Sequence, residues 1–277
     1  MFKDYYGKNA ESLKDKKLYL LDMDGTIYME DHLFDGVLEF LDRIKKNGGR
    51  YVFITNNSSK SVTDYISRLN KMGIIADRND FYTSVEATTQ MLNKDYPGIR
   101  VYAQGTRCFI EELKNSNINV TEEVEDGIEM VLTAFDTELT MQKLRNTCEI
   151  LTLNPGIPYY ATNPDLVCPV AFGDVPGYIP DCGSMSIGIK NATGRMPIFI
   201  GKPEPTMIYA CMEKFSYTKE ETVVIGDRLY TDIASGNNAG VTTICVLTGE
   251  GTIKDIEEGP DKPTFVFDKI SDLLEIL

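Results

Sequence analysis

Histidine, basic charge and long apolar runs are all scarce in this chain. There is one histidine, His32, and none of the six cysteines forms a C-x-x-C pair. A structural zinc site is therefore not expected. The cysteines, at 108, 148, 168, 182, 211 and 245, are scattered as reduced thiols would be. A disulfide framework would be unusual in a chain of 277 residues. Basic residues number 28 against 42 acidic ones, a net charge of −14. That balance speaks against a nucleic-acid partner or an anionic lipid surface. No apolar run approaches the length needed to cross a bilayer, so no membrane association is expected. The start, Met1-Phe2-Lys3-Asp4-Tyr5-Tyr6, has no apolar segment of the secretory kind, and the expected location is the cytoplasm. Internal repeats and low-complexity tracts are absent as well.

What is present is an α/β grammar. Residues 17–23 read as a short apolar strand ending in a polar turn. Over 36–46 the apolar residues Val37, Leu38, Phe40, Leu41 and Ile44 recur at helical spacing, and Gly48-Gly49 stop the helix. A second strand at 51–54 ends at Thr55, and 64–72 reads as a helix closed by Gly73. Strand, helix, strand at this spacing implies a parallel sheet with helices on its faces. The pattern returns later. Strands are expected at 197–200, 222–225, 241–247 and 265–267, with helices at 206–215, 233–238 and from Ser271.

Between these parts lies a region with its own strands, at 99–103, 130–134 and 159–161, and helices, at 106–114, 140–151 and 184–192. Loops carrying Pro155, Pro158, Pro164, Pro169, Pro176 and Pro180 punctuate it. The expected fold is a Rossmann-like parallel-sheet core interrupted by a second α/β domain. The expected bounds are 1–83 and 194–277 for the core and 84–193 for the insertion. One continuous sheet is the alternative.

Four apolar runs of the flanking parts each end in a polar cluster: Asp22/Asp24, Thr55/Asn56, Lys202, and Asp227/Asp232. Ligands of parallel α/β sheets bind at the carboxyl ends of the strands, so these clusters are expected to converge. Asp22, Asp227 and Asp232 brought together would repel one another, and a hard cation would relieve that. Their ligand atoms are all oxygen, which suits Mg²⁺. Lys202, the Thr55 hydroxyl and nearby backbone amides would hold an anion. Carboxylates, Mg²⁺ and lysine around an anion pocket form a phosphoryl-transfer constellation. Each part has a simpler reading: a polar turn at Asp22-Met23-Asp24, a solvated loop lysine at 202, a helix cap at Asp232, turn formers at Asn56 and Asn57. His32 reads as a loop residue.

Asp22-Met23-Asp24-Gly25-Thr26, the strand-terminal Thr55, Lys202 in Gly-Lys-Pro, and Gly226-Asp227-x4-Asp232 resemble, in order, the four motifs of the haloacid-dehalogenase-like phosphatases. Thr55-Asn56-Asn57-Ser58 and Gly226-Asp227-Arg228-Leu229-Tyr230-Thr231-Asp232 look like the branch of NagD-type nucleotide phosphatases, 4-nitrophenylphosphatases and pyridoxal-phosphate phosphatases. That branch carries a large α/β cap where residues 84–193 stand.

The resemblance implies a phosphoric monoester hydrolase acting on a small phosphorylated metabolite. Asp22 would be the nucleophile. Asp24 would be the general acid and base. Mg²⁺ would be held by Asp22, the Asp24 carbonyl and Asp227, with Asp232 in or beside that set. Thr55 and Lys202 would hold phosphoryl oxygens, and Asn56 and Asn57 would line the pocket. The family often forms homodimers through the cap, which makes a homodimer an open expectation.

Thr162-Asn163-Pro164-Asp165 and Pro180-Asp181-Cys182-Gly183 resemble cap loops of the family, with Asp165, Cys168 and Asp181 as specificity candidates. Cys168 stands where the pyridoxal-phosphate phosphatases carry a histidine, which sets this chain apart from them. The rivals are a phosphotransferase or mutase on the same core, and a non-enzymatic phospho-aspartate switch. The second would need neither Asp24 nor a cap.

Overall fold

A computed structural model of the protein describes residues 2–173 and 175–277; Met1 and Asp174 lie outside the described residues. The chain forms two compact units. The first holds Met1–Thr55, Tyr65–Tyr82 and Lys202–Leu277, and the second holds Asn56–Asp64 and Thr83–Gly201.

The first unit is built on a six-stranded sheet. Its strands run in the order Phe265–Phe267, Thr242–Val246, Thr222–Gly226, Leu18–Leu21, Arg50–Thr55, Phe81–Thr83. The pairings from Phe265–Phe267 through Arg50–Thr55 are all parallel. The Leu18–Leu21 strand is central and buried at every position, as an apolar strand covered on both faces must be. The sheet order places the early βαβ unit beside the later one, so both halves of the sequence meet on this strand.

Helix Val37–Lys46 shows why its spacing is helical. Val37, Phe40, Leu41 and Ile44 are buried, the last three lying three, four and seven residues from the first. Each such side chain contributes roughly 1.5–3 kcal/mol on burial. Leu38, expected on the same stripe, is instead 48% exposed. It lies about 100° away from Val37 on the helix.

The second unit has a five-stranded sheet in the order Ile198–Phe199, Tyr159–Ala161, Met130–Thr133, Arg100–Gln104, Asn119–Thr121, with every pairing parallel. Thr106 and Thr140 cap helices Arg107–Asn115 and Met141–Leu153, their hydroxyls accepting the backbone N–H of Phe109 and Lys143. Tyr102, Val131, Ile150, Leu151, Ile157, Tyr159 and Ile189 form its core.

Three features differ from the sequence expectation. The strand expected at 197–200 as part of the first sheet belongs to the second, paired with Tyr159–Ala161. It is an edge strand with Ile198 62% exposed, and a four-residue apolar run does not state which sheet it joins. The proline-punctuated stretch at 167–180 is an antiparallel hairpin, Val167–Phe172 with Val175–Pro180. A two-stranded ribbon consists only of edges, so Pro169 and Pro180 remove no central ladder bond. The C-terminal helix is a 3-10 helix, Ile270–Glu275. No helix among the described residues is long and apolar enough to cross a membrane.

Candidate active site

The register of the first sheet brings three of the polar clusters to one rim. Leu21 pairs with Ile225 on one side and Phe53 on the other. Asp22 is therefore level with Gly226 and Ile54, and its N–H still donates to the Ile225 carbonyl at 2.9 Å. Asp227 and Thr55 each stand one residue further on. These are the carboxyl ends of three adjacent parallel strands, where strand-end residues face a common crevice.

Lys202 arrives by a different route. It does not follow a strand of this sheet. It follows Gly201, whose N–H donates to the Thr162 carbonyl at 2.8 Å in continuation of the second unit's edge strand. A Cβ on Gly201 would lie 2.4 Å from Asn56 Oδ1 and 2.7 Å from the Thr162 carbonyl. That close passage explains the glycine of Gly-Lys-Pro. Lys202 itself belongs to the first unit and is 2% exposed. Its Nζ donates to Asp22 Oδ1 at 2.6 Å, to Asp232 Oδ1 at 2.5 Å and to the Ile54 carbonyl at 3.3 Å.

Asp232 sits in a π-helical turn, Leu229–Ile233. Gly226 makes room for it, because a Cβ there would lie 2.4 Å from the Asp232 Cβ. Asp232 does not cap the following helix, Ala234–Ala239. Its Oδ2 instead accepts the Arg228 N–H at 3.1 Å. Asp227 is enclosed by Gly25 and Thr26 of the first motif and by Gly249 and Glu250, which no motif singled out. The Glu250 N–H donates to its Oδ2 at 2.8 Å and the Thr26 hydroxyl to its Oδ1 at 3.3 Å. Cβ atoms on Gly25 and Gly249 would approach Asp227 Oδ2 to 2.5 and 2.0 Å. The Thr248-Gly249-Glu250 loop could have been suspected only from its position at the end of the Thr242–Val246 strand.

Carboxylate oxygens of Asp22, Asp227 and Asp232 lie within 4.8 Å of one another. Like charges at such a separation repel by roughly 3–4 kcal/mol at an effective dielectric of about 20. One ammonium, that of Lys202, contacts two of the three. Burial, reinforced by Asp232, raises the Asp22 carboxyl well above its ordinary range against the pull of Lys202. Burial and Asp232 push Asp227 up to about 7. Burial alone would lower the Lys202 ammonium, but the Asp22 and Asp232 carboxylates outweigh it and raise it. A cluster of buried oxygen donors with surplus negative charge fits a small hard cation.

The raised Asp227 makes a measurable prediction. Its folded value, about 7, lies above its unfolded one, 3.8. Its contribution to stability is thus complete below the unfolded value and lost as pH rises through the folded one. In EDTA, Asp227→Asn should gain stability over the parent as pH goes from about 5 to about 8, by on the order of a few kcal/mol. Chemical denaturation at both pH values measures this, and a gap that does not change with pH would rule out the perturbed carboxyl.

The remaining candidates fall elsewhere. Asp24 turns its carboxylate toward Tyr28, whose hydroxyl donates to Oδ2 at 3.2 Å, and toward Arg68. Thr55 is buried at its strand end. Asn56 and Asn57 belong to the second unit. Asn56 Nδ2 donates to Asp165 Oδ2 at 2.7 Å, and Asn57 Oδ1 accepts the N–H and hydroxyl of Ser59 at 2.9 and 2.7 Å. Asp165 and Asp181 are joined through Asn163 Nδ2, at 2.9 and 3.0 Å, and Asp181 caps helix Cys182–Thr193. Both are buried framework of the second unit. Cys168 lies half-buried in the hairpin, and His32 is exposed in a short hairpin strand, His32–Leu33.

A parallel α/β unit with two strand-end aspartates, a buried lysine and a third carboxylate has the residue set that phosphoryl transfer in a Rossmann-like hydrolase calls for. Comparison with known proteins agrees. The family model described as haloacid dehalogenase-like hydrolase matches residues 19–119, and a HAD-hydrolase-like model matches 199–273. An acid sugar phosphatase of Staphylococcus saprophyticus is 30% identical over 265 residues, 96% of this chain and 99% of that one. The crystal structure of a 4-nitrophenylphosphatase from Thermotoga maritima superposes with a TM-score of 0.88 at 38% identity, over 95% of this chain and 98% of that one. A glycerol phosphate phosphatase from Mycobacterium tuberculosis, in complex with magnesium, gives 0.85 at 27% identity over 94% and 78%. The chain belongs to the haloacid dehalogenase-like hydrolases, in the branch of the 4-nitrophenylphosphatases, and is a phosphoric monoester hydrolase.

Proposed function

We propose that the chain hydrolyses small phosphate monoesters, of nucleotide, sugar or aryl type, through a phosphoryl group carried on Asp22. The observation that carries this reading is the Asp22 carboxylate held 2.6 Å from the buried Lys202 ammonium, with Asp227 and Asp232 beside it. The names of the three relatives, all phosphatases of small esters, support the substrate class.

In this reading an Asp22 oxygen attacks phosphorus and the bond to the ester oxygen breaks. Asp24 gives its proton to the departing oxygen. Asp24 then takes a proton from water, the water oxygen attacks phosphorus, and the bond to Asp22 breaks to release inorganic phosphate. Lys202 and the Thr55 hydroxyl hold phosphoryl oxygens, Lys202 exchanging a carboxylate partner for the incoming anion. Asn56 and Asn57, next in sequence to Thr55, would line the pocket. Asp22, the Asp24 carbonyl and Asp227 would hold Mg²⁺, with Asp232 in or next to that set. When bound, the ion supplies positive charge against the phosphoryl oxygens and the clustered carboxylates. The second unit would serve as the cap that chooses the substrate.

A cytoplasmic location belongs to the same proposal, supported by six cysteines that are all unbridged thiols. A homodimer through the second unit is supported by its hairpin, where Phe172, Val175 and Tyr178 are 59, 64 and 58% exposed.

A panel of phosphate esters tests the activity. Nucleoside monophosphates, sugar phosphates, glycerol phosphate and 4-nitrophenyl phosphate should each release free phosphate with Mg²⁺ and none in EDTA. Isomerised sugar phosphate without free phosphate, or full turnover in EDTA, would overturn the reading.

A further inference from the structure

Asp24 stands in an unusually complete setting for a strand-end carboxylate. The chain after it closes a turn at Gly25, whose φ is +87°. The Gly25 N–H donates to the Tyr28 carbonyl at 2.8 Å, so Tyr28 is folded back beside Asp24. Tyr28 is fully buried and its hydroxyl donates to Asp24 Oδ2 at 3.2 Å. Behind Tyr28, in strand Tyr28–Met29, the chain turns through Glu30, at φ +52°, into His32–Leu33.

Arg68 comes from helix Val62–Lys71, far along the chain from this turn. It makes several contacts around it. Its guanidinium carbon lies 4.5 Å from the centre of the Tyr28 ring. Nη2 donates to the Glu30 carbonyl at 2.5 Å. Nη1 stands 3.8 Å from Asp24 Oδ1, and Nε 3.6 Å from Asp31 Oδ1. The Asp31 side chain is 88% exposed, so that pair is screened by solvent and adds little. The contacts to the ring face, the carbonyl and Asp24 are the ones that fix the guanidinium. A planar, permanently charged fork can stack and donate at once, which an ammonium cannot do.

We propose that Tyr28 and Arg68 are positioning residues for the acid–base carboxylate of Asp24. Tyr28 occupies one oxygen with a hydroxyl donor. Arg68 clamps the Tyr28 ring and the Glu30 turn, and faces the other oxygen. Together they hold the carboxylate in one orientation toward the leaving group. The hydrogen bonds and ion pairs of both side chains go to Asp24, Glu30 and Asp31 and not to the three clustered carboxylates. They therefore act on Asp24 and not on the nucleophile. The inference rests on the acid–base role proposed for Asp24.

Proton delivery matters in proportion to the basicity of the leaving oxygen. Glycerol phosphate leaves as an alkoxide that needs a proton; 4-nitrophenolate needs little. Displacing a positioned group by about 1 Å can lower a rate by on the order of 100-fold. The expected result for Tyr28→Phe and for Arg68→Met is therefore a fall of about tenfold or more in kcat on glycerol phosphate, with little change on 4-nitrophenyl phosphate and in KM. Arg68→Lys should stay low, because an ammonium lacks the stacking fork. The ratio of the two kcat values does not depend on the fraction of folded enzyme, so partial unfolding lowers both and leaves the ratio unchanged.

Asp24→Asn is measured alongside. If it changes the ratio and neither Tyr28→Phe nor Arg68→Met does, the positioning role is wrong and the acid–base role stands. If Asp24→Asn also leaves the ratio unchanged, both are overturned.

Discussion

Asp22→Asn is expected to abolish phosphate release, by on the order of 10⁴- to 10⁶-fold, the range seen when a catalytic nucleophile or its activating partner is removed. The reason is chemical and not structural. Asparagine has the same shape and can still accept from the Lys202 ammonium, now 2.6 Å from Asp22 Oδ1. Its amide oxygen is a far poorer nucleophile toward phosphorus than a carboxylate. The substitution also removes one charge from a cluster in which burial and Asp232 already raise the Asp22 carboxyl. The variant should therefore fold, and in EDTA it should be at least as stable as the parent. Phosphate release on 4-nitrophenyl phosphate at saturating Mg²⁺ is the measurement, with thermal denaturation beside it. A folded variant that keeps turnover within about tenfold of the parent would remove Asp22 from the nucleophile's place.

Lys202→Met is expected to have the second large effect, and on two quantities. Lys202 is buried and donates to Asp22 and Asp232 at 2.6 and 2.5 Å. Methionine fills a similar volume but leaves both carboxylates without their cation. Breaking a buried pair by removing one partner costs about 3–5 kcal/mol, because the other charge stays in a poorly solvated place. Urea denaturation in EDTA should show a loss of that order, and Mg²⁺ should restore part of it by supplying charge to the same carboxylates. Turnover should fall even where stability is restored, because the anion loses its point charge. If Lys202→Met were as stable as the parent in EDTA, the ammonium would not be compensating those carboxylates. If Mg²⁺ restored full activity, Lys202 would have no part in holding the phosphoryl group.

The two variants separate the roles of the same contact. Loss of Asp22 removes chemistry and relieves charge. Loss of Lys202 removes an anion partner and exposes charge. Opposite signs on stability with the same sign on activity are expected from a nucleophile paired with a clamp, and not from two residues whose contact is merely structural.

Much of this fold is legible in the residue order alone. The run ending at Asp22 is apolar at each position because its strand is covered on both faces, and that leaves a signal four residues long. Val37, Phe40, Leu41 and Ile44 repeat at the helical period because one face of that helix is buried. Thr106 and Thr140 announce helix starts because their hydroxyls satisfy otherwise unpaired N–H groups. These are local causes with local traces. Asp22, Thr55 and Asp227 can be grouped from sequence because parallel strands in one sheet end on the same side, a rule of topology that needs no distances.

Contacts between distant residues leave no such trace. The run at 197–200 is apolar in either sheet, and only hydrogen bonding to Tyr159–Ala161 assigns it to the second unit and brings Lys202 in from there. Asn56 follows Thr55 in sequence, yet its amide is turned to Asp165, 109 residues away. Arg68 looks like any charged residue on a surface helix until folding lays it over Tyr28. What the sequence determined by itself was the α/β class, the order of its elements and the chemical kind of the residues at Asp22, Asp24, Thr55, Lys202, Asp227 and Asp232. What only the tertiary structure decided was which side chain each of them meets, because hydrogen bonds and charge pairs depend on distances across the fold that no spacing along the chain encodes.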